Sequence, residues 1–344
     1  MKTAVAVSGG VDSMVAVHLL KATHNIFALH FVTGYESKNH SHYIQKLAAY
    51  LDNLNVPLIS VDISDAFQSQ VVNYFISTYS QGRTPNPCVI CNARIKFGVL
   101  QAYAMKMGAD SIATGHYAQI DKTDTNIVMK KGLDTKKDQS YFLGLVSGKR
   151  LESAIFPLGQ WTKDAVLTYA ENNGITEIAH KESQEVCFIH DRYSDFLIRS
   201  GCIKKRPGPI VTTSGKQIGQ HNGLHEFTIG QRKGINCPGP HPYYVVRLDQ
   251  VNHRLVVGQK KDLLSDSCRV DNINWLGVPP KTSIVIHVRI RYKTPAVSAT
   301  LKPISQKQAR IFFHDLQSAV TPGQIAVFYQ EDIVLGAGFI ITNE

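Results

Sequence analysis

The chain has 344 residues, 43% hydrophobic and 19% charged, enough for two or three globular domains with cores of their own. No stretch has the apolar length of a membrane span, and the N-terminus lacks the basic and apolar regions of a signal peptide, so a cytoplasmic protein with no membrane partner is expected. Formal net charge is +10, yet Lys and Arg balance Asp and Glu at 18 each through Asp195 and outnumber them 19 to 9 afterwards, which points to a polyanion held by the later domains.

In chain order, Thr3 to Val7 reads as a buried strand, Ser8 to Ser13 as a tight turn and Met14 to Leu20 as a helix. Gly9 and Gly10 tolerate positive φ and let backbone N–H groups approach a ligand, while Ser8 and Ser13 add hydroxyls beside a helix N-terminus, so the turn reads as an anion cradle. Neither the Lys of a Walker A loop nor the G-x-G-x-x-G of a dinucleotide fold is present. The spacing resembles the S-G-G-x-D-S pyrophosphate loop of ATP pyrophosphatases, which cleave ATP between the α and β phosphates and adenylate a substrate.

Ile26 to Phe31 and Leu58 to Asp62 read as further strands, and Ser41 to Leu54 and Ser64 to Tyr79 as helices. A helix ends with Gln101 to Met107 before Gly108, and Ser111 to Thr114 is a short strand. Such alternation implies an α/β, doubly wound parallel sheet with its ligand at the strands' carboxyl ends. Thr162 is a plausible N-cap for a helix over Lys163 to Asn173, and Gly174 its stop. Beyond Phe196 the helical periods fade: Tyr243 to Asp249 and Arg254 to Val257 read as a hairpin, Ser283 to Tyr292 alternates, and Gln324 to Tyr329 and Ile333 to Ile341 would close a small barrel.

Six cysteines without a secretory signal argue for thiol or metal chemistry rather than a disulfide framework. Gly82 to Asn92 is too rich in Pro and Asn to be regular and reads as a shaped loop carrying Cys88 and Cys91. Its C-x-x-C fits a redox dithiol, half of a zinc site, or two ligands of an iron–sulfur cluster. Cys187 lies in a second segment, Ser183 to Ile189, where a buried apolar thiol is the plain alternative. Cys202, Cys237 and Cys268 read as unligated thiols.

S-G-G-V-D-S from Ser8, G-R-T-P-N-P-C-V-I-C-N from Gly82, T-G-H-Y-A from Thr114, K-D-Q-S-Y-F-L from Lys137 and S-Q-E-V-C-F-I from Ser183 follow one another in an order that resembles the tRNA-specific 2-thiouridylases. The likeness continues through F-T-I-G-Q-R-K-G from Phe227, R-I-R-Y from Arg289 and P-G-Q from Pro322, spanning essentially the whole chain. It implies a PP-loop ATP pyrophosphatase domain over 1–195, a small mixed middle domain over 196–264 and a C-terminal β-barrel over 265–344 that grips tRNA. The implied reaction is 2-thiolation of the wobble uridine: ATP, with Mg²⁺ placed by Asp12, adenylates the base's 2-oxygen, and sulfur then displaces AMP. Other PP-loop synthases, amidating or argininosuccinate-type, and a non-catalytic RNA-binding protein are the alternatives, and neither class accounts for phosphate loop, thiols and basic half together.

The resemblance also implies roles. Ala6, Val7, Ser8, Gly9, Gly10, Val11, Asp12 and Ser13, with Val32 and Gly115, would hold ATP. Asn86, Pro87 and Cys88 would touch the target base, and His116, Lys137, Asp138, Gln139, Arg291, Tyr292 and Gln324 the tRNA. In a persulfide scheme Cys187 takes sulfur from a donor protein, a cysteine desulfurase or relay carrier, and Cys91 releases it, leaving a Cys91–Cys187 disulfide to be reduced. Cys88 stands where many members carry Asp. With Cys91 and Cys187 it would offer three ligands to a [4Fe–4S] cluster taking free sulfide, the rival scheme.

Overall fold

The computed structural model describes residues 1–37, 39–122, 127–175, 186–239 and 241–341. Ser183, Gln184 and Glu185 of the second thiol segment lie outside the described residues.

The N-terminal half is built on β1 (Lys2–Ala6), β2 (Asn25–Val32), β3 (Leu58–Asp62) and β4 (Ser111–Ala113), followed by the hairpin β5 (Ala118–Lys122) and β6 (Ile127–Lys131) and the short β7 (Ala154–Ile155). Five of these form one parallel sheet in the order β3-β2-β1-β4-β7. Its strands read as continuous apolar runs because both faces are covered: Ala4 and Leu29 enter one core, while Val5 and Ala28 enter the other with Met14 and Leu47. The expected doubly wound α/β architecture is therefore present. β1 ends at the Ser8–Gly10 turn, and the helix Val11–Lys21 leaves it.

One local expectation is corrected. Cys88 and Cys91 are not in an irregular loop: a helical turn over Pro87–Ile90 runs into a π-helix over Cys91–Leu100 and an α-helix over Gln101–Lys106. Asn86 caps it, its side chain accepting from Val89 N at 3.4 Å, and Pro87 stands at the first helical position, where its missing N–H costs nothing.

The middle of the chain forms a four-stranded sheet from β8 (Gly208–Thr212), β9 (Gln217–His221), β10 (Tyr244–Asp249) and β11 (Arg254–Gly258), ordered β10-β11-β8-β9. The expected hairpin is the antiparallel β10–β11 pair. Strands β12 (Leu264–Trp275), β13 (Ile284–Arg289), β14 (Val297–Pro303), β15 (Ala309–Ser318), β16 (Ile325–Gln330) and β17 (Ile333–Ile341) make the barrel, closed by β12 pairing with β17. Alternate residues such as Val270, Ile286, Val288, Leu301 and Phe328 fill it. The β5–β6 hairpin belongs not to the first sheet but to the barrel sheet, which it joins where Lys130 pairs with Ile333.

Candidate active site

The carboxyl edge of the parallel sheet opens into a cleft of about 1170 Å³ whose walls come from both the first sheet and the barrel. One end is the glycine turn. Gly9 takes φ +67°, a conformation that would strain any side chain, and its Cα backs onto the Tyr43 ring rather than the cleft. Ser13 Oγ donates to Gly10 O at 2.8 Å and accepts from Ser8 N at 3.3 Å, which holds the turn closed. Gly115 packs so tightly on the start of the following helix that a Cβ would lie 3.0 Å from Asp12 O, so the Thr114–His116 turn and the phosphate loop share one wall.

Among the described residues, six cations, Lys96, Lys136, Lys137, Lys163, Arg289 and Lys293, and a single carboxylate, Asp12, line this cleft. Such a balance suits a polyanionic ligand. Asp12 Oδ1 accepts from Tyr117 Oη at 2.7 Å and from Lys163 Nζ at 2.9 Å. Four of the six cations come from the charge-balanced half of the chain, so the net excess after Asp195 does not by itself mark the anion site.

The thiols sit at the other end. Cys88 lines the cleft and is exposed to it, whereas Cys91, one turn later, packs against the core. Cys187 is exposed and held in place by Phe188, buried among Tyr35, Phe67, Phe75 and Phe196. All three are free thiols. Loss of water to the surrounding protein pushes Cys91 up to about 12 and Cys187, at the surface of the same wall, up to about 11, and raises Cys88 too; Lys96 pulls the other way at each, and neighbouring thiols push Cys91 and Cys187 further up. Among the described residues, no three His, Cys, Asp or Glu side chains form a group able to hold a metal ion. Cys88 faces the cleft while Cys91, one turn later, packs inward.

Between the two ends stands His116. Gln139 Oε1 accepts the Tyr117 N–H, which turns its carbonyl towards His116 Nδ1 at 2.9 Å. Nε2 lies 3.1 Å from Asn92 Oδ1 and 3.5 Å from Lys96 Nζ. Burial, with Lys96 beside it, pushes the imidazole down to about 3 and keeps it neutral.

Ala6, Val7, Ser8, Gly10, Val11, Asp12, Ser13, Gly115, Asn86, Pro87, Cys88, His116, Lys137, Gln139, Tyr292 and Gln324 all line the cleft, as the sequence expectation had them gathered. Val32 does not; Phe31, on the opposite face of the same strand, does. Asp138 is buried behind the wall, taking the Gly132 and Ser140 N–H groups and an ion pair from Arg289. Arg291 spends Nη2 on Ile229 O, Ala319 O and Thr321 Oγ1, fastening the middle segment to the barrel. Sequence reasoning overlooked Lys96, Lys163 and Arg289. Lys163 follows the Thr162 cap directly and Lys96 lies five residues after Cys91, but their partners are distant in sequence and only the fold brings them in.

Against known families, residues 1–191 match a model described as a tRNA methyl transferase HUP domain, 194–259 a tRNA methyl transferase PRC-barrel domain, and 265–340 an aminomethyltransferase beta-barrel domain. Three similar relatives, each named tRNA-specific 2-thiouridylase MnmA, come from Desulfosudis oleivorans (46% identical, covering 98% of this chain and 94% of the relative), Syntrophotalea carbinolica (40%; 98% and 97%) and Lawsonia intracellularis (38%; 100% and 100%). Among solved structures, the U34-tRNA thiolase NcsA from Methanococcus maripaludis with its [4Fe-4S] cluster covers 58% of this chain and 65% of its own at 20% identity and a TM-score of 0.37, too distant to inform this site.

Proposed function

The chain belongs to the tRNA-specific 2-thiouridylase family, and on that premise we propose how its cleft performs ATP-dependent 2-thiolation of the wobble uridine of tRNA. The observation that carries the reading is one continuous cleft with a phosphate loop at one end and the Asn86–Cys88 turn, with Cys91 one helical turn behind it, at the other. ATP lies with its phosphates on the Ser8–Ser13 turn, where backbone N–H groups and Lys163 balance the charge of the departing pyrophosphate. Asp12 keeps Oδ2 as a ligand oxygen for Mg²⁺, which when bound neutralises phosphate charge. The domains divide the work as 1–195 for catalysis, 196–264 as the middle unit and 265–344 for holding the tRNA.

The wobble base leaves its stack to reach Asn86, Pro87 and Cys88. Its 2-oxygen attacks the α-phosphorus and pyrophosphate departs. The terminal sulfur of a Cys187 persulfide, delivered by a sulfur-donor protein, then attacks the ring carbon and AMP leaves. Cys91 thiolate attacks Cys187 Sγ, the S–S bond breaks towards the base sulfur, and 2-thiouridine departs, leaving a Cys91–Cys187 disulfide that an external dithiol reduces. Cys187 and Cys88 both act electrostatically on Cys91, and Lys96 favours the thiolate form at each of the three, which supports this assignment.

The test combines purified protein with ATP, a reduced persulfide donor and a tRNA transcript bearing U34, and measures pyrophosphate and 2-thiouridine. Both products are expected from the wild type and from Cys88→Ser, whereas Cys91→Ser and Cys187→Ser should release pyrophosphate but form at least about 1000-fold less thiouridine. Loss of thiolation in Cys88→Ser, together with about four irons per anaerobically purified chain, would replace the persulfide route by the cluster route.

A further inference from the structure

Gln324 lies in the turn between the barrel strands and lines the cleft beside the segment leading to Cys88. Its Nε2 donates to two carbonyls of that segment, Thr84 O and Pro85 O, both at 3.1 Å. A backbone carbonyl only accepts, so this pair fixes which end of the amide is which and uses both N–H groups. Oε1 takes no hydrogen bond among the described residues, and it is the group Gln324 has left for a ligand. The reverse orientation would set oxygen against oxygen twice. The neighbouring segment is equally constrained, since Thr84 N donates to Pro322 O at 2.9 Å.

Asn86 is polarised in the opposite sense. Its Oδ1 is committed as the helix cap to Val89 N and the amide also donates to the Tyr141 hydroxyl, which leaves one N–H as what it has to offer. The wall beside Cys88 therefore carries one protein-fixed acceptor and one protein-fixed donor.

We propose that Gln324 is a specificity-determining residue that recognises the target uracil through its N3–H, with Oε1 as the acceptor. This rests on the functional reading above and deepens it. Uracil has one ring donor on its pairing edge, N3–H, flanked by two carbonyl acceptors, and cytosine has a lone pair at N3. With the 2-oxygen directed at the phosphate loop, the register is set and N3 is the neighbouring atom. Uracil gives Oε1 a hydrogen bond; cytosine sets lone pair against lone pair in a cleft that cannot rearrange the amide, because both N–H groups are held by Thr84 and Pro85. A misplaced acceptor of this kind discriminates by roughly 10-fold to 100-fold.

The experiment measures dissociation constants of the full-length protein for anticodon stem-loops that differ only at the wobble base: uridine, cytidine and 3-methyluridine. Binding avoids the chemical step, which 3-methylation would block for other reasons. The wild type should prefer uridine over both by at least about 10-fold. Gln324→Lys keeps donors for Thr84 O and Pro85 O while removing the acceptor, and Gln324→Met removes both. Each should bring the three affinities within about 2-fold of one another, and the added charge in the Lys variant shifts all three together. Undiminished preference in Gln324→Lys, or no preference in the wild type, would overturn the assignment. Failure to bind any stem-loop would instead strike at the tRNA reading itself.

Discussion

Two carboxylate–cation pairs stand at the cleft, one in each region, and they are built differently. At the phosphate end Asp12 meets Lys163 at 2.9 Å with 31% of the Asp12 side chain exposed. At the barrel end Asp138 meets Arg289 at 3.0 Å with only 3% of the Asp138 side chain exposed. Arg289 is further tied to Thr294 O and Tyr292 O and lies over the Tyr141 and Tyr292 rings. An open pair can exchange one partner for a phosphate as the ligand enters and leaves. A pair whose carboxylate is buried and whose Arg289 is also tied to two carbonyls is far less free to do so; it holds the barrel against the catalytic sheet.

The sharpest way to break this contrast is to remove one partner from each pair. Arg289→Met leaves a buried carboxylate unpaired and should cost about 3–5 kcal/mol of stability in urea unfolding; a cost below about 1 kcal/mol would mean that the pair is not a fastener. Asp138→Asn combined with Arg289→Met should recover part of the loss, since no bare charge remains. Lys163→Met should behave in the opposite manner. Its stability cost should stay within about 1 kcal/mol, while tRNA-dependent pyrophosphate release falls roughly 10-fold to 100-fold because charge developing on the leaving group goes unbalanced. Unchanged pyrophosphate release in Lys163→Met would show that the open pair is only structural.

The same contrast marks what was legible in the sequence. The phosphate loop is local: its glycines, hydroxyls and flanking strand and helix are contiguous, and the structure places them as expected. The Thr162 cap is equally local, and its hydroxyl accepts from Ala165 N. The barrel end depends on pairs far apart in the chain. Asp138, Arg291 and Gln324 read as RNA contacts, yet in the folded chain they first serve Arg289, Ile229 and Thr84. Nothing in their own neighbourhoods announces those partners. The Pro- and Asn-rich run before Cys91 misled for a different reason: proline breaks a helix interior but starts a helix well, and Asn86 before Pro87 is such a start. The β5–β6 hairpin escaped notice because its outer pairing, Lys130 with Ile333, spans the molecule.

His116 lies between the two regions and supplies the smallest and most specific test. Its ring nitrogens face Gln139 and Asn92, with Lys96 beside Nε2, and burial holds its titration down to about 3 from an ordinary value of 6.5. In the unfolded chain it takes up a proton as the pH falls through about 6.5; in the folded chain it waits until about 3. The unfolded state therefore binds more protons across that window, so the stability His116 contributes is complete above about pH 6.5 and is lost progressively on acidification. Between pH 7 and 5 the limit is about 2 kcal/mol, reduced because the ring borders an open cleft where water screens it. His116→Gln, which removes the titrating ring, should lose less stability than the wild type over this interval in parallel urea titrations. The other histidines are common to both proteins, so their contribution cancels in the difference. Equal losses would mean that the ring takes up its proton in the folded chain too, and that the boundary between the phosphate and barrel ends is wet rather than packed.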